Sequence, residues 1–214
     1  MTRFARLLAT GMLLAGCGNT PPVPDWQLNA KGAMERAQEA YLIGNVRVEA
    51  AEFAKARSEV ASTGRVDLLA RLELARCALR VASLVFEECA AFTPLAQDAG
   101  AAERAYATYL TGRAQPEQAA LLPEQHRAVV AGTAQPPGLK SVSDPLARLV
   151  AAAVLLQQGR ADPALIVLAI DTASAQGWRR PLLAWLGVQA IRAEQGGDGV
   201  EAARIRRRMV LVGQ

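Results

Sequence analysis

The stretches DPLARLVAAAVLLQQG (residues 144–159) and DPALIVLAIDTASAQG (residues 162–177) decide the fold class, because they repeat one pattern at an interval of 18 residues. Each stretch opens with Asp-Pro, continues with a mainly apolar run and ends with Gly. Proline is favoured in the first turn of a helix and glycine just past its last turn. Each stretch is therefore predicted to be one helix. Pro181, Gly196-Gly197 and Gly213 continue the series, which indicates further helices of similar length.

The rest of the sequence also favours helices. Apolar residues make up 51% of the 214 residues and aromatic residues only 5%, whereas strands are enriched in aromatic and β-branched residues. We expect one all-α domain over residues 25–214. Apolar spacing and breaker residues predict helices over about 25–43, 47–61, 65–86 and 99–110, the first capped by Asp25 and the last begun by Asp98. Short helices are expected at Pro116 and Pro123, and a loop over 133–142.

The predicted helix over 65–86 is apolar on most of its circumference. Its polar strip contains only Glu73, Arg76, Arg80 and Ser83. A helix of this kind packs against neighbours on more than one side. We therefore expect it to be the central helix of the domain.

The 18-residue units resemble half of a tetratricopeptide repeat, a helical hairpin of about 34 residues. Small residues follow the turns where two such helices would cross, namely Ala164 after Gly159 and Ala202 after Gly197, and Trp185-Leu186-Gly187 is similar to a fragment of the first repeat helix. The resemblance covers residues 143–214 and, more loosely, 26–62. It implies antiparallel helical hairpins stacked into a solenoid. The alternative is an irregular helical bundle whose Pro and Gly residues only cap its helices.

The amino terminus has the features of a secretion signal. Arg3 and Arg6 precede an apolar core over 7–15 that is too short to span a bilayer. The segment ends in Leu14-Ala15-Gly16-Cys17, which resembles the lipobox of bacterial lipoproteins. The resemblance implies that residues 1–16 are removed and that Cys17 carries covalent lipid on its sulfur and on its new amino group. The alternative is an ordinary signal peptide with a cysteine at this place.

Residues 17–24 are predicted to be the lipidated cysteine and a proline-rich tether, since Pro21, Pro22 and Pro24 favour an extended chain. In Gram-negative lipoproteins an Asp after the acylated cysteine retains the protein in the inner membrane. Gly18 stands at that position here, so the resemblance implies the periplasmic face of the outer membrane, with the inner membrane as the alternative. Removing the signal lowers the formal charge of +4 by two, and we expect no nucleic acid partner.

Cys77 and Cys89 form an even pair once Cys17 is lipidated, as expected of a disulfide in an oxidising compartment. Continuous helix between them would hold their Cα atoms about 18 Å apart, whereas a disulfide requires less than about 7 Å. A bond therefore requires a chain reversal after about residue 84. The alternative is two separately buried thiols.

No catalytic or metal-binding pattern is evident. His126 is the only histidine, and it is predicted to lie on the solvated face of a short helix. We therefore expect no catalytic triad, no metal site and no cofactor other than the lipid on Cys17.

A cluster of arginines lies on the last predicted helix. Ala202, Ile205, Met209 and Val212 are expected to form its buried stripe, which leaves Arg204, Arg207 and Arg208 on the other side. Cations near a helix C-terminus complement the helix dipole. The same patch is also suited to anionic lipid head groups or to an acidic partner.

These features predict a non-enzymatic lipoprotein that presents a helical surface to another protein of the cell envelope. One alternative is an accessory factor in the assembly of a pilus, secretin or β-barrel. A less favoured alternative is an envelope hydrolase, because the single histidine has no evident nucleophile partner.

Overall fold

The computed structural model describes residues 22–134 and 136–214, and this part of the chain is all-α. The predicted signal peptide, Cys17 and the first residues of the tether lie outside the described residues. Two short 3-10 helices, Thr93–Leu95 and Pro116–Leu121, accompany the α-helices. In chain order the α-helices are α1 (Asp25–Ile43), α2 (Val46–Ala61), α3 (Val66–Ala82), α4 (Ala101–Leu110), α5 (Glu124–Val130), α6 (Pro136–Lys140), α7 (Pro145–Gln157), α8 (Pro163–Ala175), α9 (Arg179–Gln195) and α10 (Gly199–Gly213).

As predicted, helices begin at the two Asp-Pro pairs and end just before the glycines. The carboxylate of Asp144 accepts a hydrogen bond from the backbone amide of Leu146 at 2.9 Å, and that of Asp162 accepts one from Leu165 at 2.7 Å. These bonds satisfy amides that the first turn of a helix leaves unpaired. Gly159 follows α7 with a φ of 69°, a left-handed conformation that glycine adopts without steric cost.

The helices form a bundle in which distant parts of the chain meet. Consecutive helices pack as hairpins, α1 with α2 and α7 through α10 in sequence, but α3 also packs on α7 and α1 on α9. The buried Trp185 of α9 donates a hydrogen bond from Nε1 to the carbonyl oxygen of Ala82 at the end of α3, at 3.2 Å. Units of a solenoid contact only their neighbours in sequence. The irregular bundle is therefore the alternative that describes this chain.

Two hydrophobic cores hold the bundle together. The main core joins α3, α4, α5, α7, α8 and α9. The smaller core lies between α1 and α2, where small side chains allow the two helices to approach closely, and consists of Ala30, Ala33, Ala37, Phe53, Ala56, Val60 and Leu72. Because α3 contributes to both cores and packs on α1, α2, α4 and α7, its predicted central position is confirmed.

Several predicted helix ends were wrong. α3 ends at Ala82 rather than at residue 86, because Leu84 adopts a left-handed φ of 59° and turns the chain back. α4 begins at Ala101, since the extended Gly100 precedes it. Asp25 is the first residue of α1 and caps nothing, because the carbonyl of Pro24 already accepts the first helical hydrogen bonds. The predicted loop over 133–142 contains the short helix α6, which Pro136 begins.

The polar strip of α3 is also partly misassigned, because Glu73 and Ser83 are buried. The Nε of Arg57, which reaches across from α2, donates to Oε1 of Glu73 at 2.8 Å. A carboxylate can be buried when an opposite charge bonds to it. Ser83 follows the carbonyl that Trp185 contacts, so it lies beneath α9 rather than in water.

Candidate functional site

A groove of about 880 Å³ lies beside α8, with residues of α6 and α7 on its other side. We call it the α8 groove. Its α8 wall is formed mainly by apolar side chains at helical spacing, namely Ala164, Val167, Leu168 and Ala175. Val167 in this wall is 44% exposed, although it is a branched apolar residue.

The apolar wall exists because the first eight residues of α8, 163–170, are apolar in every direction around the helix. One side of α8 packs into the main core through Leu165, Ile166, Ala169, Ile170 and Ala173. The opposite side carries the apolar Ala164, Val167 and Ala175 together with the polar Asp171 and Ser174, and all five are exposed. A helix that is apolar all round is normally buried, and contiguous exposed apolar surface is typical of an interaction site. The prediction that Ala164 marks a close helix crossing was wrong, since Ala164 is exposed in this groove.

Arg148 fixes the floor of the α8 groove. Its Nη1 donates to the hydroxyl of Thr172 at 3.2 Å, and its Nη2 donates to the carbonyl oxygens of Val142 at 2.6 Å and Lys140 at 3.2 Å. The guanidinium thereby ties α7 to α8 and to the end of α6. Because a planar guanidinium donates in fixed directions, the three helices are held in one arrangement around the groove.

The rims of the α8 groove carry opposite charges. Lys140 and Arg148 lie on the side of α6 and α7, whereas Asp162 and Asp171 lie on α8. The lining contains no histidine, cysteine or serine, and the hydroxyl of Thr172 donates its hydrogen to the carbonyl of Leu168 at 2.7 Å. The groove therefore has the composition of a binding surface and lacks a nucleophile next to a base.

Sequence reasoning did not identify the α8 groove, although a signal for it was present. The run PALIVLAI over residues 163–170 is apolar at positions that face in every direction around a helix. Such a run predicts that something covers each face. The sequence does not reveal which face the rest of the chain leaves open, because that depends on where α6 and α7 pack.

His126 is buried, so the prediction of a solvated histidine was wrong. Only 2% of its surface is exposed, and its Nδ1 lies 3.0 Å from the hydroxyl of Tyr109. The flanking Glu124, Gln125 and Arg127 suggested a polar helix. The signal that was missed is the buried face of Leu122, Val129 and Val130, which lie four residues before, three after and four after the histidine.

Burial changes the acid–base properties of this cluster. It lowers the pKa of His126 to about 4, because the charged imidazolium is poorly solvated there. Burial also raises the pKa of Tyr106 and of Tyr109 well above the ordinary value, with Asp144 as a further cause for Tyr106. His126 is therefore neutral at neutral pH. With so little exposed surface, it is shielded from any substrate in solution.

Cys77 and Cys89 lie close together, because the chain reverses between them as a disulfide requires. Their Cα atoms are 5.9 Å apart, which is the distance typical of a disulfide. The reversal begins where α3 ends, and an ion pair between Arg80 and Glu87 at 2.7 Å joins the returning segment to the helix. The pair thus lies at disulfide distance, and the alternative of two separately buried thiols does not describe it.

The predicted basic patch lies on the exposed side of α10, with Ala202 and Ile205 buried against α9 as expected. Arg204 is bonded to Glu201 within the same helix through two hydrogen bonds of 2.6 Å. Arg208 lies 3.4 Å from the hydroxyl of Ser174, and no partner of Arg207 is found among the described residues.

Another basic segment, Trp178-Arg179-Arg180, lies at the start of α9, and two of its three residues have a structural role. Trp178 is buried, and Arg180 stacks on the ring of Tyr41 with its guanidinium 4.4 Å from the ring centre. The Nε of Arg180 also donates to the carbonyl of Tyr41 at 2.8 Å. These contacts join α9 to α1.

Comparisons with protein-family models, with curated proteins and with solved structures found no match to this chain. Within residues 22–134 and 136–214, no group of three or more His, Cys, Asp or Glu side chains is placed to hold a metal ion. In the same part of the chain, none of the helices has both the length and the apolar character needed to cross a bilayer.

Proposed function

We propose that this protein is a non-enzymatic, lipid-anchored interaction module of the bacterial cell envelope, attached at the periplasmic face of the outer membrane. Its partner-binding surface is the α8 groove. The single observation that carries the proposal is the apolar wall of the groove, because Val167 and Leu168 face an open concavity on a helix whose other side is part of the main core.

The cysteines of the protein are compatible with its predicted location in the cell envelope. The lipobox Leu14-Ala15-Gly16-Cys17 implies export and lipidation. Disulfides persist in oxidising compartments such as the periplasm, and the short distance between Cys77 and Cys89 fits a protein that matures there.

The shape and charge of the α8 groove favour an amphipathic helix as its occupant. The apolar wall has the spacing that accepts the apolar face of a second helix. Lys140 on one rim would then lie beside an acidic side chain of the partner, and Asp171 on the other rim beside a basic one. We therefore propose that the partner is an envelope protein with an exposed amphipathic helix of this charge pattern.

Site-specific photo-crosslinking in intact cells tests the groove. A photoreactive side chain replaces Val167 in the full chain, and a matched control carries it at Val48, an exposed apolar residue on α2. We expect the Val167 probe to form an adduct whose cross-linked peptide maps to one amphipathic helix of an envelope protein. The Val48 probe should not form that adduct, and Leu168→Asp should abolish it at Val167. An identical adduct pattern at the two positions would exclude the α8 groove as the binding surface.

The anchor is tested separately by Cys17→Ser. We expect the unaltered protein to incorporate a palmitate label and to fractionate with outer membranes. The variant should lose the label and be found as soluble protein or as uncleaved precursor. Normal membrane attachment of an unlabelled variant would overturn the lipid anchor and would leave the groove proposal unaffected.

A further inference from the structure

The last helix, α10, has one covered side and one bare side. Its inner side packs against α9 through Ala202 and Ile205, which are buried. On the opposite side Val200 is 83%, Val210 64% and Leu211 71% exposed, and Val200 and Leu211 are the most exposed large apolar residues of the described chain.

These exposed residues share one face of the helix. Positions 200, 203, 207, 210 and 211 recur at spacings of three and four, so Val200, Ala203, Arg207, Val210 and Leu211 point in one direction, away from α9. We call these five residues the outer face of α10. Further arginines flank it, with Arg206 on one side and Arg204 and Arg208 on the other.

The charge around the outer face has a single sign at its carboxy-terminal end. No Asp or Glu occurs after Glu201 in the printed sequence. Glu201 is bonded to Arg204, and Glu194 of α9 is paired with Arg206. Arg207 bonds to no group of the described residues, and Arg208 donates only to the Ser174 hydroxyl of α8, so neither positive charge is paired with a carboxylate near exposed Val210 and Leu211.

We infer that the outer face of α10 docks on an anionic lipid bilayer, with its apolar side chains at the head-group boundary and its arginines on lipid phosphates. A helix with an apolar face flanked by arginines has the composition of an interfacial helix. Long arginine side chains lay their methylene groups along the apolar layer and keep the guanidinium at the head groups.

Charge complementarity and composition favour a bilayer over a protein partner. The outer face contains no Trp, Tyr or Phe, whereas the residues that dominate protein interfaces are large aromatic anchors seated in pockets. A fluid bilayer needs no shape match to valine and leucine. Anionic lipid head groups supply the negative charge that Arg207 and Arg208 lack within the described chain.

Vesicle binding tests this inference without the lipid anchor. The full chain carrying Cys17→Ser is mixed with vesicles of phosphatidylcholine alone, or of phosphatidylcholine with phosphatidylglycerol, and bound protein is measured by co-sedimentation. We expect binding only to the vesicles with phosphatidylglycerol, and weaker binding as the salt concentration rises. The amino-terminal segment is identical in all variants, so differences between them report on the folded domain.

Two double variants locate the contact. Arg207→Gln with Arg208→Gln should weaken binding to the anionic vesicles about 30-fold, since each arginine near such a surface contributes about fivefold. Val210→Ser with Leu211→Ser should weaken it about tenfold or more. The matched control, Arg47→Gln with Lys55→Gln, removes two exposed charges from α2 and should leave binding unchanged.

The outcomes separate the inference from its rivals and from the proposed function. Equal binding to neutral and anionic vesicles, or equal loss in the α2 control and the α10 variants, would overturn the bilayer contact. Self-association in light scattering that the α10 variants abolish, without vesicle binding, would assign the outer face to a second copy instead. Since Cys17 is absent throughout, none of these results depends on the lipid anchor or on the α8 groove.

Discussion

The region α2 to α4 and the region α7 to α9 bury different kinds of side chain. In the first region Glu49, Glu73 and Glu103 are buried, and each carboxylate bonds to an arginine. In the second region the buried side chains are apolar apart from Thr172. Both regions consist of helices of similar length in one bundle, so the difference lies in how each interface is specified.

The comparison indicates that different changes destabilise the two regions. A buried carboxylate is tolerated only while its cation is in place, whereas an apolar interface depends on filled volume. Burial raises the pKa of Glu103, but its bonds to Arg71 and to its own backbone amide outweigh this effect and leave the pKa below the ordinary value. The first region should therefore respond to pH and to loss of charge, and the second to loss of volume.

The largest effect is expected at the contact between the two regions. Trp185→Ala removes a side chain with no exposed surface and leaves the carbonyl of Ala82 without its donor. We expect the free energy of unfolding in urea to fall by about 3 to 5 kcal/mol. Trp26→Ala in α1 is the matched control, since Trp26 is only partly buried. An equal loss in both variants would show that Trp185 does not join the regions.

The next effect is the acid sensitivity of the cluster around α5. The pKa of His126 is about 4 in the folded protein and about 6.5 when unfolded, so the unfolded chain binds the proton first as pH falls. The contribution of the neutral histidine to the free energy of unfolding is therefore fully present above pH 6.5. It decreases by about 3 kcal/mol as the pH falls towards 4. His126→Gln, which keeps a hydrogen-bonding group beside Tyr109, should flatten this part of the stability curve measured by thermal unfolding. An unchanged pH dependence in the variant would assign the loss to other groups.

A smaller effect on stability is expected at the buried ion pairs, where removing the arginine and removing the carboxylate should have different consequences. Arg57→Ala leaves the carboxylate of Glu73, which is 2% exposed, without its cation, and we expect a loss of about 2 kcal/mol in the free energy of unfolding. Glu73→Met instead leaves a half-exposed arginine that water can solvate, so its effect should be below about 1 kcal/mol or stabilising. If Glu73→Met destabilised the protein more than Arg57→Ala, the pair would not be limited by burial of the carboxylate.

The same contrast explains what could be predicted from the sequence. The helices α7 and α8 were predicted within a residue or two, because Asp144-Pro145 and Asp162-Pro163 act on their own first turns and need no distant partner. Burial of Glu73 was missed, because its partner Arg57 comes from another helix and the pairing depends on how α2 and α3 cross. His126 differs, because the apolar Leu122, Val129 and Val130 on its own side of the helix already indicated burial, and only its contact with Tyr109, 17 residues earlier, depends on packing. The α8 groove depends on the same kind of information, namely which helices pack together.

The smallest effect is expected at the Asp-Pro pair that begins α8. Asp162→Ala removes the acceptor of the Leu165 amide and should reduce the free energy of unfolding by about 1 kcal/mol, the usual contribution of an N-cap. Asp171→Ala, an equal change at an exposed position inside the same helix, should have little effect. Proline fixes φ in the first turn but provides no acceptor for the free amides, so the aspartate and the proline contribute separately. Equal stability of the two variants would mean that Pro163 alone sets the start of α8, and the Asp-Pro pattern would then owe its predictive value to proline.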